Sequence, residues 1–474
     1  MAIRNPVKRQ VRGFAIIWTA ITLLVGMSAF FAIYLTYGGD SASASAEGVS
    51  LPDPTDPPTT DSAFVIATAT TIPTEVPAPT EAPEEAPPQV AQAQDPPQDP
   101  MPEPTTLPVN DRSYAVGIQV QYSLDLQPDS QRGWMRDVRN NLGLEWYKQQ
   151  IRWIDTEPAK GEYDWSVLDL VLPVADETGV KVLLSIVGAP DWAREPNVDL
   201  TAEGPPADNQ DFVDFLTALL ERYPGMIHAI EIWNEPNIDR EWMSADGVSA
   251  ANFVELLRVS YETIKNIDPG IIVVSGAPSP TGGFVDAEGV TRAINDFDYV
   301  DQMIAAGLLN YSDCVGTHHN GYNIGPSVRW DEVPNDPNAS FRGPFDNPHH
   351  SWSFRSTLET YANKIAVAGG DQPLCITEFG WATVEDMDGY PSGFEFATDN
   401  TLEEQAEWTI EAINNMEEWG FVWLAFIWNL NYGPQAGWST DNDNTPYSLI
   451  GPEWQHRPAY GAVREWSASR NQEQ

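Results

Sequence analysis

From Asp111 onward, short apolar and β-branched runs alternate with longer stretches of helical periodicity. The runs at 114–120, 147–154, 180–188, 227–233, 271–276, 314–318, 374–379 and 422–429 predict eight strands. Between them, segments such as 211–222, 251–267, 354–368 and 402–419 carry apolar positions at helical spacing. The last has Glu403 and Glu404 in its first turn, where the helix dipole favours negative charge. Strand–helix alternation repeated in this way predicts an α/β fold, a closed (β/α)8 TIM barrel over 111–470. The region exceeds the roughly 250 residues typical of that fold, and the surplus is unevenly placed. Links from helix to strand are terse (Glu177-Thr178-Gly179, Asp268-Pro269-Gly270, Ser312-Asp313), whereas those from strand to helix are long at 319–351, 380–400 and 430–456. Long loops therefore gather on the C-terminal face, where barrel enzymes place their sites. An open doubly wound sheet is the alternative, but the Gly-rich phosphate turn common after its first strand is not visible.

Upstream of the barrel the texture differs. Residues 1–13 carry Arg4, Lys8, Arg9 and Arg12 and no acid, and form a basic tail. Residues 14–37 are an uncharged run long enough to cross a bilayer as a helix. Basic residues before this run and none soon after it predict a single-pass membrane anchor with a cytoplasmic N-terminus and an extracellular barrel. Cleavage as a signal peptide is the rival, since small residues at 41–46 suit a peptidase, but the run exceeds the usual apolar core of a signal. Residues 38–110, rich in Pro, Thr, Ala, Asp and Glu, predict a disordered, extended linker, because such a composition buries too little apolar surface to offset its ordering entropy.

The formal charge of −44 disfavours nucleic acid as a partner and favours neutral over polyanionic ligands. The 18 Trp, with 16 Tyr and 17 Phe, suit either carbohydrate faces or aromatic helix packing. Cys314 and Cys375 fall in apolar runs expected to be neighbouring strands. A disulfide or a catalytic thiol is open to them, but buried free cysteines are the expectation. No Cys/His spacing suggests a structural metal, and no cofactor motif is present.

Two acids stand out. Glu231-Ile232-Trp233-Asn234-Glu235-Pro236-Asn237 ends the fourth strand, and Pro236 prevents the strand ladder from continuing, so Glu235 is set at the rim. Leu374-Cys375-Ile376-Thr377-Glu378-Phe379-Gly380-Trp381 repeats the design on the seventh strand. An acid that ends an apolar strand is costly unless paired or used. Glycosidic cleavage needs two carboxyl groups in different protonation states. Ionised Glu378 is expected to keep Glu235 protonated, as an acid toward the leaving oxygen and later a base toward water.

The motifs Trp233-Asn234-Glu235-Pro236 and Thr377-Glu378-Phe379-Gly380 resemble those of the clan of retaining β-glycosidases whose carboxylates end strands four and seven. Within it the chain is most similar to the cellulase-like and β-xylosidase-like members of glycoside hydrolase families 5 and 39, over nearly all of 112–470. Glu157-Pro158, Gly161 and Tyr163-Asp164-Trp165 resemble the stretch after strand two in several of these families. The resemblance implies Glu235 as acid/base and Glu378 as nucleophile, with Asn234 on the sugar 2-hydroxyl. It also implies Arg152 as the cation beside the nucleophile and Trp428 as the platform beneath the reacting sugar. Thr317-His318-His319-Asn320-Gly321-Tyr322 is similar to the family's His-x-Tyr element but is longer, by two residues from His318 and by one from His319. His318 and Tyr322 are the expected pocket residues. Trp192, Trp381, Tyr432 and Trp438, in the long loops, are candidates for sugar stacking. The expected partner is an oligo- or polysaccharide with β-linkages. A silent polysaccharide-binding barrel and a transglycosylase are the alternatives, the first disfavoured by the presence of both carboxylates.

Overall fold

The two periodicities separate in the structure, a computed structural model that describes Leu107 and residues 109–334, 336, 337, 339 and 350–470. The barrel strands are β1 (Ala115–Gln119), β2 (Trp146–Arg152), β3 (Lys181–Val187), β4 (Ala229–Ile232), β5 (Ile272–Ser275), β6 (Val315–Gly321), β7 (Leu374–Trp381) and β8 (Val422–Ile427). All adjacent pairs are parallel, in the order β5-β4-β3-β2-β1-β8-β7-β6. The seam closes between β5 and β6, where Asp313 N–H donates to Val273 O at 2.9 Å and Gly316 N–H donates to Ser275 Oγ at 2.9 Å. A Cβ on Gly316 would lie 2.0 Å from Ser275 O, so only glycine allows this approach.

The helices that follow the strands are α1 (Pro128–Arg136), α2 (Ser166–Thr178), α3 (Asn209–Arg222), α4 (Ala250–Ile267), α5 (Asp296–Ala305), α6 (Phe354–Val367), α7 (Leu402–Trp419) and α8 (Pro458–Arg470). α7 shows why they form. Thr401 Oγ1 accepts from Glu404 N–H at 3.1 Å while Glu404 Oε2 accepts from Thr401 N–H at 2.8 Å, a reciprocal cap on two otherwise unpaired donors. Ala406, Thr409, Ile413 and Met416 then recur at helical spacing on the buried face, and Gly420, at φ 73°, ends the helix. The long connections 322–353, 382–401 and 428–457 all leave the C-terminal ends of strands.

Two expectations need comment. Cys314 and Cys375 are not free: they form a disulfide, with Cα atoms 5.7 Å apart. Their strand runs are neighbours, and both side chains point into the barrel, in a layer with Trp146, Leu183, Val274 and Phe426 at its N-terminal end. Strand registration decided this, and registration is a tertiary property. The membrane span at 14–37 and the linker at 38–110, save Leu107, Val109 and Asn110, lie outside the described residues. Among the described residues no helix is long and apolar enough to cross a membrane.

Candidate active site

β4 delivers Glu235 through an abrupt change of backbone direction. Trp233 N–H still pairs with Ile186 O of β3, but Trp233 has φ 73° and Glu235 has φ 39°, both left-handed and disfavoured for residues with a Cβ. The turn sends the Trp233 ring into the helix layer against Phe212 and Trp242, where its Nε1–H donates to Glu241 O. Glu235 is thereby turned into the mouth of the barrel, its N–H held by Ala277 O. Asn237 clamps this loop to the one after β5, donating to Ser279 O at 2.8 Å and accepting from Ser279 N–H at 2.7 Å.

β7 delivers Glu378 through a bulge. Thr317 of β6 pairs with Ile376 and His318 with Glu378, which leaves Thr377 as the extra residue. Strict alternation would point Thr377 and Glu378 to opposite faces. With the bulge both reach the interior: Thr377 Oγ1 donates to Glu231 Oε1 at 2.6 Å, and Glu378 Oε1 accepts from Lys148 Nζ at 3.0 Å.

Around these acids lies a buried charge cluster. Lys148 of β2 and Glu231 of β4 are fully buried and 3.6 Å apart. His318 of β6 stands between the acids, with Nδ1 3.3 Å from Glu235 Oε1 and Nε2 3.8 Å from Glu378 Oε1. Arg240, from the loop after β4, donates to the other oxygen of Glu235 at 3.0 Å. Three carboxylates thus face two fixed cations and one imidazole. Burial alone would lower the His318 pKa, but Glu378, Glu235 and Glu231 outweigh it and hold the ring above its ordinary value. Burial likewise pushes Glu235 up, yet His318 and Arg240 prevail and bring it down to about 2. The expectation that Glu378 keeps Glu235 protonated is therefore corrected: His318 and Arg240, both in contact with Glu235, pull its pKa down.

Asn234, Glu235, Arg240, Asn320, Glu378, Trp428 and Asn444 line one pocket between the strand ends. The side-chain oxygens of Asn234 and Asn320 are buried there without a partner, as polar atoms of a ligand site are. Trp428 closes one wall, its ring 5.7 Å from Lys148 Nζ and tilted against Tyr432. Among the described residues no cluster of three or more His, Cys, Asp or Glu is arranged to hold a metal ion.

Other expected residues lie elsewhere. Arg152 is not the cation of Glu378: it pairs with Glu203 at 2.7 Å and Asp155 at 3.7 Å, and Lys148, earlier on the same strand, takes that place from the barrel interior. Tyr322 packs edge-on to Phe396 in a cluster that includes Trp428 and Tyr447, beside the pocket and outside its lining. Trp381 is buried against Phe354 and Trp408 and donates to Ile324 O, so it is a packing residue. Trp192 donates to Glu157 O and meets Trp153 edge-on, packing its own loop. Tyr432 accepts from Gln119 Nε2, and Trp438 covers Gly433.

Lys148, Glu231, Arg240, Asn320 and Asn444 were not anticipated. For the first two a signal existed: a charged residue in mid-strand, flanked by residues that must be buried, is costly unless it meets an opposite charge inside the barrel. Arg240, Asn320 and Asn444 reach the pocket through loop and strand-end geometry, for which the sequence holds no periodic sign.

No family model matches the chain. Its fold, the (β/α)8 barrel, is one that solved glycoside hydrolases share. It is similar to a family 39 glycoside hydrolase from the gut symbiont Bacteroides cellulosilyticus WH2, with 19% identity, a TM-score of 0.53, and coverage of 75% of this chain and 64% of that one. A family 39 enzyme from Xanthomonas axonopodis pv. citri matches at 16% identity and a TM-score of 0.51, over 76% and 68% of the two chains. A glucosidase from Croceicoccus marinus matches at 13% identity and a TM-score of 0.50, over 76% and 68%. The chain thus spans just under two thirds of the first of these proteins.

Proposed function

We propose that this protein is a glycoside hydrolase that cleaves a β-linked oligo- or polysaccharide with retention of configuration, using Glu378 as nucleophile and Glu235 as acid/base. One observation carries the reading: two carboxylates that end strands four and seven share one pocket, each with its own cation, and a single histidine reaches both. Lys148 Nζ donates to Glu378 Oε1 at 3.0 Å and so fixes the orientation of the attacking carboxylate. Glu235 acts in its protonated form, and His318, with Nδ1 3.3 Å from Glu235 Oε1, is the neighbour placed to exchange a proton with it. Glu235 then protonates the leaving oxygen as Glu378 attacks the anomeric carbon, and a glycosyl ester forms. In the second half Glu235 takes a proton from water, which displaces Glu378 at the same carbon. Asn234 and Asn320 offer their unpartnered oxygens to sugar hydroxyls, and Trp428 offers a ring face to the sugar's C–H bonds.

The setting belongs to the same reading. The basic tail, the uncharged run at 14–37 and the acidic linker support a membrane-anchored barrel outside the cytoplasm, and the Cys314–Cys375 disulfide suits an oxidising compartment.

The test is the anomeric proton followed by NMR during turnover, after a screen of the full chain against glucan, mannan, xylan and aryl glycosides. The first product formed should keep the substrate's configuration, and an initially inverted product would remove Glu378 as nucleophile. Glu235→Ala should slow substrates with poor leaving groups far more than activated aryl glycosides, which need little protonation. Equal slowing of both would remove it as acid.

A further inference from the structure

Beside the catalytic pocket, the loops after β1 and β8 form a groove lined by Trp134, Trp454, Ser123, Leu124, Asp125 and Gln435. Trp454 is 59% exposed and Leu124 54% exposed, although apolar groups of this size gain by burial. The Trp454 ring lies over that of Trp134, with centroids 6.4 Å apart and planes within 19°. The backbone holds this arrangement at a cost. Glu453 and Trp454 have φ 61° and 65°, and Leu126, which closes the Ser123–Leu126 turn, has φ 50°. Three left-handed residues with side chains, gathered around one exposed aromatic ring, are what a binding surface shows when packing does not require it.

The groove and the pocket share no lining residue, but one short element joins their walls. The short helix Tyr432–Gln435 spans both: Tyr432 leans on Trp428, ring centroids 5.2 Å apart, and Gln435 lines the groove. Gln121 and Asn431 tie the two loops together by a reciprocal pair of hydrogen bonds at 2.8 and 3.0 Å, so the shared wall is fixed. The groove's chemistry is an indole face flanked by hydrogen-bonding groups. Asp125, whose carboxylate accepts from Ser130 Oγ and Gln127 N–H, is an anion that accepts from hydroxyls and repels acidic groups.

We propose that this groove is a second sugar site, which binds a neutral pyranose of the same glycan whose scissile unit occupies the catalytic pocket. It rests on the glycosidase reading for the identity of that glycan. A chain long enough to reach Trp454 gains an aromatic contact that a short substrate cannot make, so turnover depends on chain length.

Trp454→Ala in the full chain tests this, because an exposed side chain can be removed without opening the core. The probes are cellohexaose, xylohexaose and mannohexaose, with an aryl monoglycoside of the same sugar. On the hexasaccharide that the unaltered protein cleaves fastest, kcat/KM should fall by about tenfold through a higher KM, as the loss of one aromatic contact implies. On the aryl glycoside it should change less than about twofold. Equal effects on both substrates, or none on either, would overturn the proposal. Tryptophan fluorescence titration of Glu378→Gln with the three hexasaccharides separates the two readings. A quench abolished by Trp454→Ala supports the groove even if no substrate is cleaved. Titrations identical with and without Trp454 overturn the groove and leave the catalytic assignment standing.

Discussion

Lys148 is enclosed by Glu378, Glu231 and the Trp428 ring, with no exposure to solvent. A buried cation between two carboxylates is worth little as net stability, but its removal leaves buried charge uncompensated. Lys148→Met should therefore reduce kcat by on the order of 100-fold, comparable to the loss of one strong electrostatic contact in an active site. The loss should fall on kcat with KM little changed, because Lys148 contacts Glu378 and is not among the pocket-lining residues. A higher KM with kcat unchanged would remove Lys148 from the chemical step. Glu241 shifts in the opposite sense to Glu235. Burial raises its pKa, the Arg240 charge opposes this, and Glu203 and Glu235 add to it, giving about 8. Arg240 stands between the two acids, 3.0 Å from Glu235 and 3.5 Å from Glu241. The folded protein holds a proton on Glu241 that the unfolded chain, near the ordinary value of 4.5, releases. Its contribution to stability is fully present below that value and is lost as pH rises toward about 8. Thermal unfolding of Glu241→Gln, neutral throughout, should show a smaller fall in Tm between about pH 5 and 8 than the unaltered protein. Parallel curves would refute the assignment.

Individual strands contribute more than side chains to this site. The bulge at Thr377 is one extra residue, yet it aims Thr377 at Glu231 and Glu378 at Lys148 from adjacent positions. β6, which places His318, is held on one side by the glycine-dependent seam to β5 and on the other by the disulfide to β7. The disulfide thus joins the two strands that carry His318 and Glu378. Cys314 and Cys375 are 61 residues apart in the chain, and closing a loop of that length removes enough unfolded-state entropy to stabilise by about 4 kcal/mol. Replacing both by Ala should lower the unfolding free energy by that order, read as a lower urea midpoint with a steeper slope, because the unbridged denatured chain exposes more surface. An unchanged midpoint would show that the bridge constrains nothing the barrel does not already fix.

At the scale of the whole molecule, terse turns lie on the N-terminal face and the long loops gather on the other, so sequence length itself is concentrated where the pocket lies. The chain is strongly acidic, with a formal charge of −44, yet the pocket balances its carboxylates internally with Lys148, Arg240 and His318. A neutral polymer can approach such a surface without a long-range electrostatic penalty.

Local pattern was enough for the barrel. Strand and helix periodicities, and loop lengths, depend on neighbours in the chain, and the strands observed fall within a few residues of those expected. It was also enough to single out Glu235 and Glu378, because an acid that ends an apolar strand stands out against its own surroundings. Three things depended on residues far apart in sequence meeting in space. Strand register brought Cys314 to Cys375 and Lys148 to Glu378, in place of Arg152. The packing of the barrel placed His318 between the two acids. Solvent exclusion and the charges around that cluster then set the directions in which His318 and Glu235 shift. Charge state in a buried site is set by the sum of nearby charges and the water removed, and neither quantity exists until the chain has folded.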